Sequence, residues 1–159
     1  MSIIYNERAE KEFSPKFKEK IEKAFNEFPE LVERKVIVSW ENYNKGTADI
    51  YNNFIIKLKP NASYQTIGHE LTHLLQGMKL IPTGEATCDI FTIARSNLFL
   101  DDNLAYLSTY GLWGGNRKKV RELCIEAIKL RNDGKRKYIY WLNKELKDIA
   151  VKLKLIIGA

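Results

Sequence analysis

The chain contains two histidines, His69 and His73, and Glu70 directly follows the first of them. On an α-helix, positions i and i+4 share a face, so both imidazoles can reach one metal ion. The carboxylate of Glu70 would then lie beside the open coordination position of that ion, where a general base is needed. Two imidazoles and a carboxylate suit zinc. The spacing therefore predicts a Zn²⁺ site with His69 and His73 as ligands and Glu70 as catalytic base.

The third zinc ligand has to be a residue other than histidine, because a catalytic zinc site uses three protein ligands and a water. A second helix is expected soon after the first, capped by Thr83 and running to about Asn97. Glu85 and Asp89 share a face of that helix, so one could bind zinc while the other holds a ligand imidazole by its second nitrogen. Helix geometry alone does not decide between them, and Cys88 is a further candidate ligand.

These two motifs together resemble the gluzincin clan of metallopeptidases. In that clan the His-Glu-x-x-His helix is followed by a helix with the pattern Glu-x-x-x-Asp, which here is Glu85 to Asp89. The resemblance covers about residues 54–97 and implies a zinc peptidase with Glu85 as third ligand. It also implies that Asp89 supports a ligand histidine, His69 being the expected one.

The chain departs from the clan in two respects. Only eleven residues separate His73 from Glu85, which indicates a reduced scaffold. There is no third histidine to stabilise the oxyanion of the tetrahedral intermediate. Tyr106 and Tyr110 are the candidates for that role, because they follow the second motif helix where the chain could fold back over the site.

The residues around the two motifs predict an α+β fold, and the resemblance to the gluzincin clan implies that this fold is zincin-like. Alternation of apolar and polar residues predicts three strands, at 36–40, 46–51 and 54–59, which would form a small antiparallel or mixed sheet. The last two strands would be joined by a turn at Asn52-Asn53. In the resembling clan, the strand before the metal helix lies at a sheet edge and pairs with extended substrate.

Helices are predicted on both sides of this sheet and motif region. Ser14-Pro15 begins an N-terminal helix whose apolar stripe runs to Phe28. After the motif helices, Asp101 or Asp102 is expected to cap a short helix, and the glycines between 111 and 115 to form a flexible turn. Two long helices then follow from Asn116 onward. We therefore expect a zincin-like core at 1–98 and a basic C-terminal helical segment at 99–159 packed on it, as a single domain overall.

Composition indicates a globular cytoplasmic protein. The 159 residues are 45% hydrophobic and 11% aromatic, enough to bury a core in one domain. The two cysteines are too few for a disulfide framework and suit a reducing compartment. The N-terminus lacks the features of a signal peptide, and no apolar run is long enough to cross a membrane.

Positive charge is concentrated near the C-terminus. Residues 117–154 hold 13 Lys/Arg and five Asp/Glu, a net charge of +8, while the rest of the chain carries −2. Basic helix faces of this kind are in most cases only solvated. This segment could instead bind an acidic protein or a nucleic acid, although no nucleic-acid motif supports the latter. We also hypothesise that the segment either restricts access to the zinc or completes the hydrophobic core.

The favoured function is a zinc-dependent peptidase, an endopeptidase acting on peptides or proteins. The alternative is a non-catalytic or latent zinc protein whose basic C-terminal helices bind a protein or nucleic-acid partner. A closed site with four protein ligands would favour that alternative, and an open water position would favour the enzyme. A homodimer is compatible with either function.

Overall fold

The computed structural model of the protein describes residues 2–40, 46–49 and 54–157, and it confirms a mixed α+β fold. The described residues form a four-stranded sheet and six α-helices, with short 3-10 turns between some of them. The strands are β1 Ser2–Tyr5, β2 Lys35–Trp40, β3 Gly46–Asp49 and β4 Ile55–Leu58. The helices are α1 Glu7–Glu12, α2 Pro15–Phe25, α3 Tyr64–Gly77, α4 Glu85–Arg95, α5 Arg117–Asn132 and α6 Tyr138–Lys152.

The sheet is mixed, with the strand order β1-β2-β4-β3. Strands β1, β2 and β4 are parallel, and β3 is antiparallel to β4 at the edge of the sheet. The mixed alternative is therefore confirmed, and the antiparallel alternative is wrong. The sheet has four strands where about three are predicted, because β1 is not among the predicted strands. The strand before the metal helix, β4, is also not the edge strand: it lies between β2 and β3. The turn predicted at Asn52-Asn53 falls outside the described residues.

The first core lies between this sheet and helices α2 and α3. Val36, Val38, Ile56 and Leu58 are fully buried, as the alternation in β2 and β4 predicts, whereas Lys57 is exposed. The stripe predicted on α2 is buried as well. Its members are Phe17, Ile21, Phe25 and Phe28. Helix α3 thus has a rigid apolar support behind it.

The start of α3 is capped twice. Ser63 accepts a hydrogen bond from the amide of Thr66. Asp101 accepts hydrogen bonds from the amides of Tyr64 and Gln65, both at 2.9 Å. Asp101 therefore does not begin a helix of its own, and the short helix predicted after it is wrong: the chain from 101 to 110 is irregular.

Helix α4 begins without the predicted Thr83 cap. Its N-cap is Gly84, whose φ of 112° lies in a region that residues with a side chain rarely adopt. The helix then runs from Glu85 to Arg95, close to the predicted extent. The sharp turn at Gly84 allows α4 to follow α3 after a short connection.

A second core joins α4 to α5 and α6. Ile90 and Ile93 of α4 pack in one cluster with Leu142 and Leu146 of α6. Leu112 and Trp113 are buried in the same cluster, so the glycine-containing segment around them is packed and not the flexible turn that was expected. The division of the chain near residue 98 remains a prediction, but α4 clearly contributes to both the site and the second core.

No helix in the described part of the chain combines the length and the apolar character needed to cross a membrane.

Candidate metal centre

The two histidines of α3 converge on one carboxylate oxygen of α4. His69 Nε2 lies 3.0 Å from Glu85 Oε2, and His73 Nε2 lies 3.2 Å from the same atom. Because α3 and α4 pack against each other, the first turn of α4 faces the middle of α3. The structure thus brings together the three residues for which the sequence predicts zinc binding.

The two separations from Glu85 fit a zinc ion shared with each histidine. Two nitrogen or oxygen ligands at about 2.0 to 2.1 Å from one zinc, at the tetrahedral angle, lie about 3.3 Å apart. The measured separations of 3.0 and 3.2 Å are close to this value. The side chain of Glu85 is 48% exposed, so the centre is reached from solvent on that side. An open side is what a site with a water or substrate position requires.

Asp89 holds His69 from behind. Its Oδ1 lies 2.9 Å from His69 Nδ1, and its Oδ2 accepts hydrogen bonds from the amides of Tyr106 and Leu107. Asp89 is fully buried, and both of its oxygens already take part in these hydrogen bonds. This geometry favours Asp89 as the partner of His69 over Asp89 as a direct ligand.

Gln76 holds His73 in the same way, although it is not among the site residues predicted from the sequence. Gln76 Oε1 lies 2.6 Å from His73 Nδ1. The amide nitrogen of Gln76 donates to the carbonyl oxygens of Pro82 and Gly84, which fixes the orientation of the side-chain amide. Its spacing could have identified it, because Gln76 is three residues after His73 and therefore lies on the same face of the helix.

The hydrogen bonds on both Nδ1 atoms leave the Nε2 atoms as acceptors. In neutral imidazoles each Nδ1–H donates, to Asp89 in one case and to Gln76 in the other. In that tautomer two nitrogen lone pairs and the carboxylate of Glu85 face one another, and a metal ion or a proton between them makes this arrangement favourable. Burial lowers the pKa of His69, but the hydrogen bond to Asp89 and its charge outweigh this, so the pKa is raised overall. A proton can thus occupy the centre in place of a metal.

Glu70 is a buried carboxylate beside these ligands. It is 5% exposed, and its Oε2 has no hydrogen-bond partner in the described part of the protein. Burial raises the pKa of Glu70 to about 7; the charge of His69 lowers it and that of Glu85 raises it further. An unpartnered buried oxygen is costly, so this carboxylate is a candidate functional group of the site.

Cys88 lies close enough to be considered as a ligand. Its sulfur and one ring nitrogen from each histidine lie within 4.8 Å of one another. The thiol, however, is fully buried and donates to the carbonyl oxygen of His69 at 3.1 Å. Burial, followed by the charges of Asp89 and Glu70, raises its pKa well above the usual value. A bound metal would itself deprotonate a coordinating thiol, so the preference rests on geometry: the Glu85 oxygen lies within 3.2 Å of both histidines, whereas the Cys88 sulfur is held by the His69 carbonyl.

The structure separates the two candidate tyrosines. The Tyr106 ring stacks on the His69 ring, with centroids 5.7 Å apart, and its side chain is largely exposed. The charge of Glu85, and less strongly burial, raises the pKa of Tyr106, which therefore keeps its hydroxyl proton. Tyr110 instead packs against the second core and lines a surface groove with α6. Tyr106 is thus the tyrosine that lies at the metal centre.

Comparisons with family models, with curated proteins and with solved structures give no match for this chain. The function is therefore argued from the site itself.

Proposed function

We propose that the protein is a zinc-dependent peptidase of the gluzincin type. The observation that carries this proposal is the convergence of two imidazole nitrogens on one carboxylate oxygen, at 3.0 and 3.2 Å. His69, His73 and Glu85 would hold the zinc. Asp89 and Gln76 would orient the two imidazoles so that their unprotonated nitrogens face it.

The chemistry at this centre would be divided between the metal and the chain. When bound, zinc lowers the pKa of a coordinated water from about 16 to about 7 and polarises a carbonyl oxygen. Glu70 would take a proton from the attacking water and then deliver it to the leaving amine. Its burial supports this role, because removal from water raises the pKa of the carboxyl group and makes the carboxylate a better proton acceptor.

Tyr106 is the proposed donor to the oxyanion. Its ring is fixed against His69, and its protonated hydroxyl can donate a hydrogen bond to a developing negative charge. Tyr110, the other candidate, lies against α6 and is not proposed for this step. Replacement of Tyr106 by Phe would remove the donor while retaining the ring that covers His69.

Extended substrate is proposed to pair with β3. This strand lies at the sheet edge and is in contact with the metal helix α3. An unpaired strand edge can hydrogen-bond a peptide in extended conformation, which aligns the peptide bond with the groups on the helix. The edge strand β3 would thus take the part that the resemblance to the clan gives to β4.

The test combines metal analysis with the Glu70→Gln variant. The wild-type protein is expected to bind one zinc and to cleave casein in a chelator-sensitive manner, whereas Glu70→Gln retains the zinc and loses the cleavage. Undiminished cleavage by the zinc-loaded variant would remove Glu70 from the mechanism. Zinc binding without any cleavage by the wild-type protein would instead favour the non-catalytic alternative, in which the metal only stabilises the fold.

A further inference from the structure

A surface groove runs along the outward face of α6. It has a volume of about 600 Å³, and one of its walls is Tyr110 from the irregular segment after α4. The other wall is a stripe of α6 residues spaced at helical intervals. The stripe includes Tyr140, Lys144, Lys147, Asp148 and Lys152.

The groove is positively charged and available for binding. Lys144, Lys147 and Lys152 are exposed, and none of them forms an ion pair or hydrogen bond with another described residue. Asp148 is the single acidic residue among those lining the groove, which leaves a net charge of +2. Tyr140, which is 72% exposed, adds an aromatic surface at one end. Free lysines beside an exposed aromatic ring favour an anionic ligand with some apolar character.

Two segments connect the groove to the metal centre. Tyr138, two residues before Tyr140, lies against Thr87 in the first turn of α4, where Glu85 is located. On the other wall, Tyr110 is four residues after Tyr106, which stacks on His69. Four residues of chain span at most about 14 Å, so the Tyr110 wall of the groove lies within reach of an extended peptide bound at the candidate centre.

The neighbouring arginines do not add to a nucleic-acid surface. Arg117 donates to the carbonyl oxygens of Leu100 and Trp113, and Arg121 donates to those of Ile93 and Ala94. These guanidinium groups hold the fold together, and the groove itself is lined by lysines. Phosphate recognition commonly uses the planar guanidinium of arginine, which the groove lacks. The site beside it is also proposed to act on peptides.

We infer that the α6 groove selects substrate, binding acidic side chains on the same polypeptide as the cleaved bond. This inference rests on the proposed peptidase function and names the class of substrate: polypeptides with a cluster of Asp or Glu next to the scissile segment. Lys144 and Lys147 provide the attraction, and Tyr140 packs against the peptide.

The experiment measures binding separately from cleavage. The zinc-loaded Glu70→Gln protein is titrated into two fluorescent peptides of equal length, one with an acidic cluster and one with Gln and Asn in its place, and anisotropy is recorded. The same titrations use the double variant Lys144→Glu/Lys147→Glu in that background. The control is Lys118→Glu/Lys135→Glu, which changes the net charge equally at exposed positions outside the groove.

We expect the acidic peptide to bind at least about tenfold more tightly than the neutral one, and the groove variant to remove that preference. The control should retain it. Equal binding of the two peptides, or equal loss of the preference in the control, would overturn the inference. A single-stranded oligonucleotide of equal charge that binds more tightly than the acidic peptide, and does so through Lys144 and Lys147, would replace it with a nucleic-acid site.

Cleavage by the wild-type protein distinguishes this inference from the proposed function. Hydrolysis of both peptides at equal kcat/KM would contradict the groove inference while supporting the peptidase. Lysine-dependent binding of the acidic peptide with no hydrolysis of any peptide would contradict the peptidase and leave the groove as an acidic docking site.

Discussion

At the scale of single residues, each ligand histidine is fixed by a partner on its far nitrogen. Asp89 accepts from His69 and also fastens the chain at Tyr106 and Leu107, while Gln76 accepts from His73 and also binds the turn before α4. If the two histidines bind a metal as proposed, they are already oriented for it, which would reduce the free-energy cost of assembling the centre.

The two carboxylates of α4 are expected to differ in their effect on zinc. Glu85→Ala should abolish tight binding, because it removes the oxygen that both histidines face. Asp89→Ala should weaken binding by roughly ten- to a hundredfold, the usual scale for loss of a partner behind a ligand. Competition titrations with a chromophoric chelator measure both. Tight binding in Glu85→Ala together with loss in Asp89→Ala would reverse the two roles.

Gln76 is expected to matter for the same reason. Gln76→Leu removes the acceptor for His73 and should weaken zinc binding by roughly ten- to a hundredfold. Gln76→Glu keeps that acceptor but loses the bonds to the Pro82 and Gly84 carbonyls, so it should recover part of the affinity. The same chelator titration compares them. If both variants lost affinity equally, Gln76 would act through packing at the helix end and not through His73.

At the scale of elements, the metal helix is placed by a close approach at Gly68. A Cβ atom built on Gly68 would lie 2.6 Å from the ring of Phe99, which is fully buried in the first core. The glycine directly before His69 thus lets α3 lie against that ring. The sequence pattern shows a glycine but not the ring that requires it, because Phe99 is thirty-one residues away in the chain.

Gly68→Ala is therefore expected to destabilise the protein. Overpacking a core costs about 1 to 3 kcal/mol. Alanine regains up to about 1 kcal/mol of helix propensity. The net loss in the free energy of unfolding, measured by urea denaturation, should be about 1 to 2 kcal/mol. Gly114→Ala is the matched control, because no atom lies within 4 Å of its built Cβ, and it should change stability little. Equal effects of the two substitutions would rule out the contact with Phe99 as the cause.

How far the sequence predicts these elements depends on the length of each pattern. Helix α2 and its buried stripe follow from four apolar residues at helical spacing and a Ser-Pro start, and both are confirmed. Strand β1 was not predicted, because Ile3, Ile4 and Tyr5 are consecutive apolar residues and show no alternation. The segment after α4 was misread because Asp101 caps a helix 36 residues earlier and does not begin one of its own. Local caps can be read from the sequence, but caps supplied by distant residues cannot.

At the scale of the whole molecule, helix α4 connects the metal centre to the C-terminal helices. One face of α4 carries Glu85 and Asp89, and another carries Ile90 and Ile93 in the second core. The basic segment therefore packs on the helix that supplies a proposed ligand. This packing favours the hypothesis that the segment completes the core over the hypothesis that it restricts access to the zinc.

The two hypotheses differ in the expected result of loosening α6. Leu146 is fully buried in the second core, so Leu146→Ala should lower the free energy of unfolding by about 2 to 5 kcal/mol. It should leave the peptidase activity of the folded protein unchanged at low temperature, because nothing that covers the zinc has been released. Leu153→Ala is the control: Leu153 is 50% exposed just beyond the end of α6, and its replacement should have little effect.

Higher activity in Leu146→Ala, without a matching loss of stability, would support a gating role for the segment. Truncation before Asn116 should then give a folded and more active protein. If the segment completes the core, the truncated protein should be insoluble, because Ile90 and Ile93 would be left uncovered.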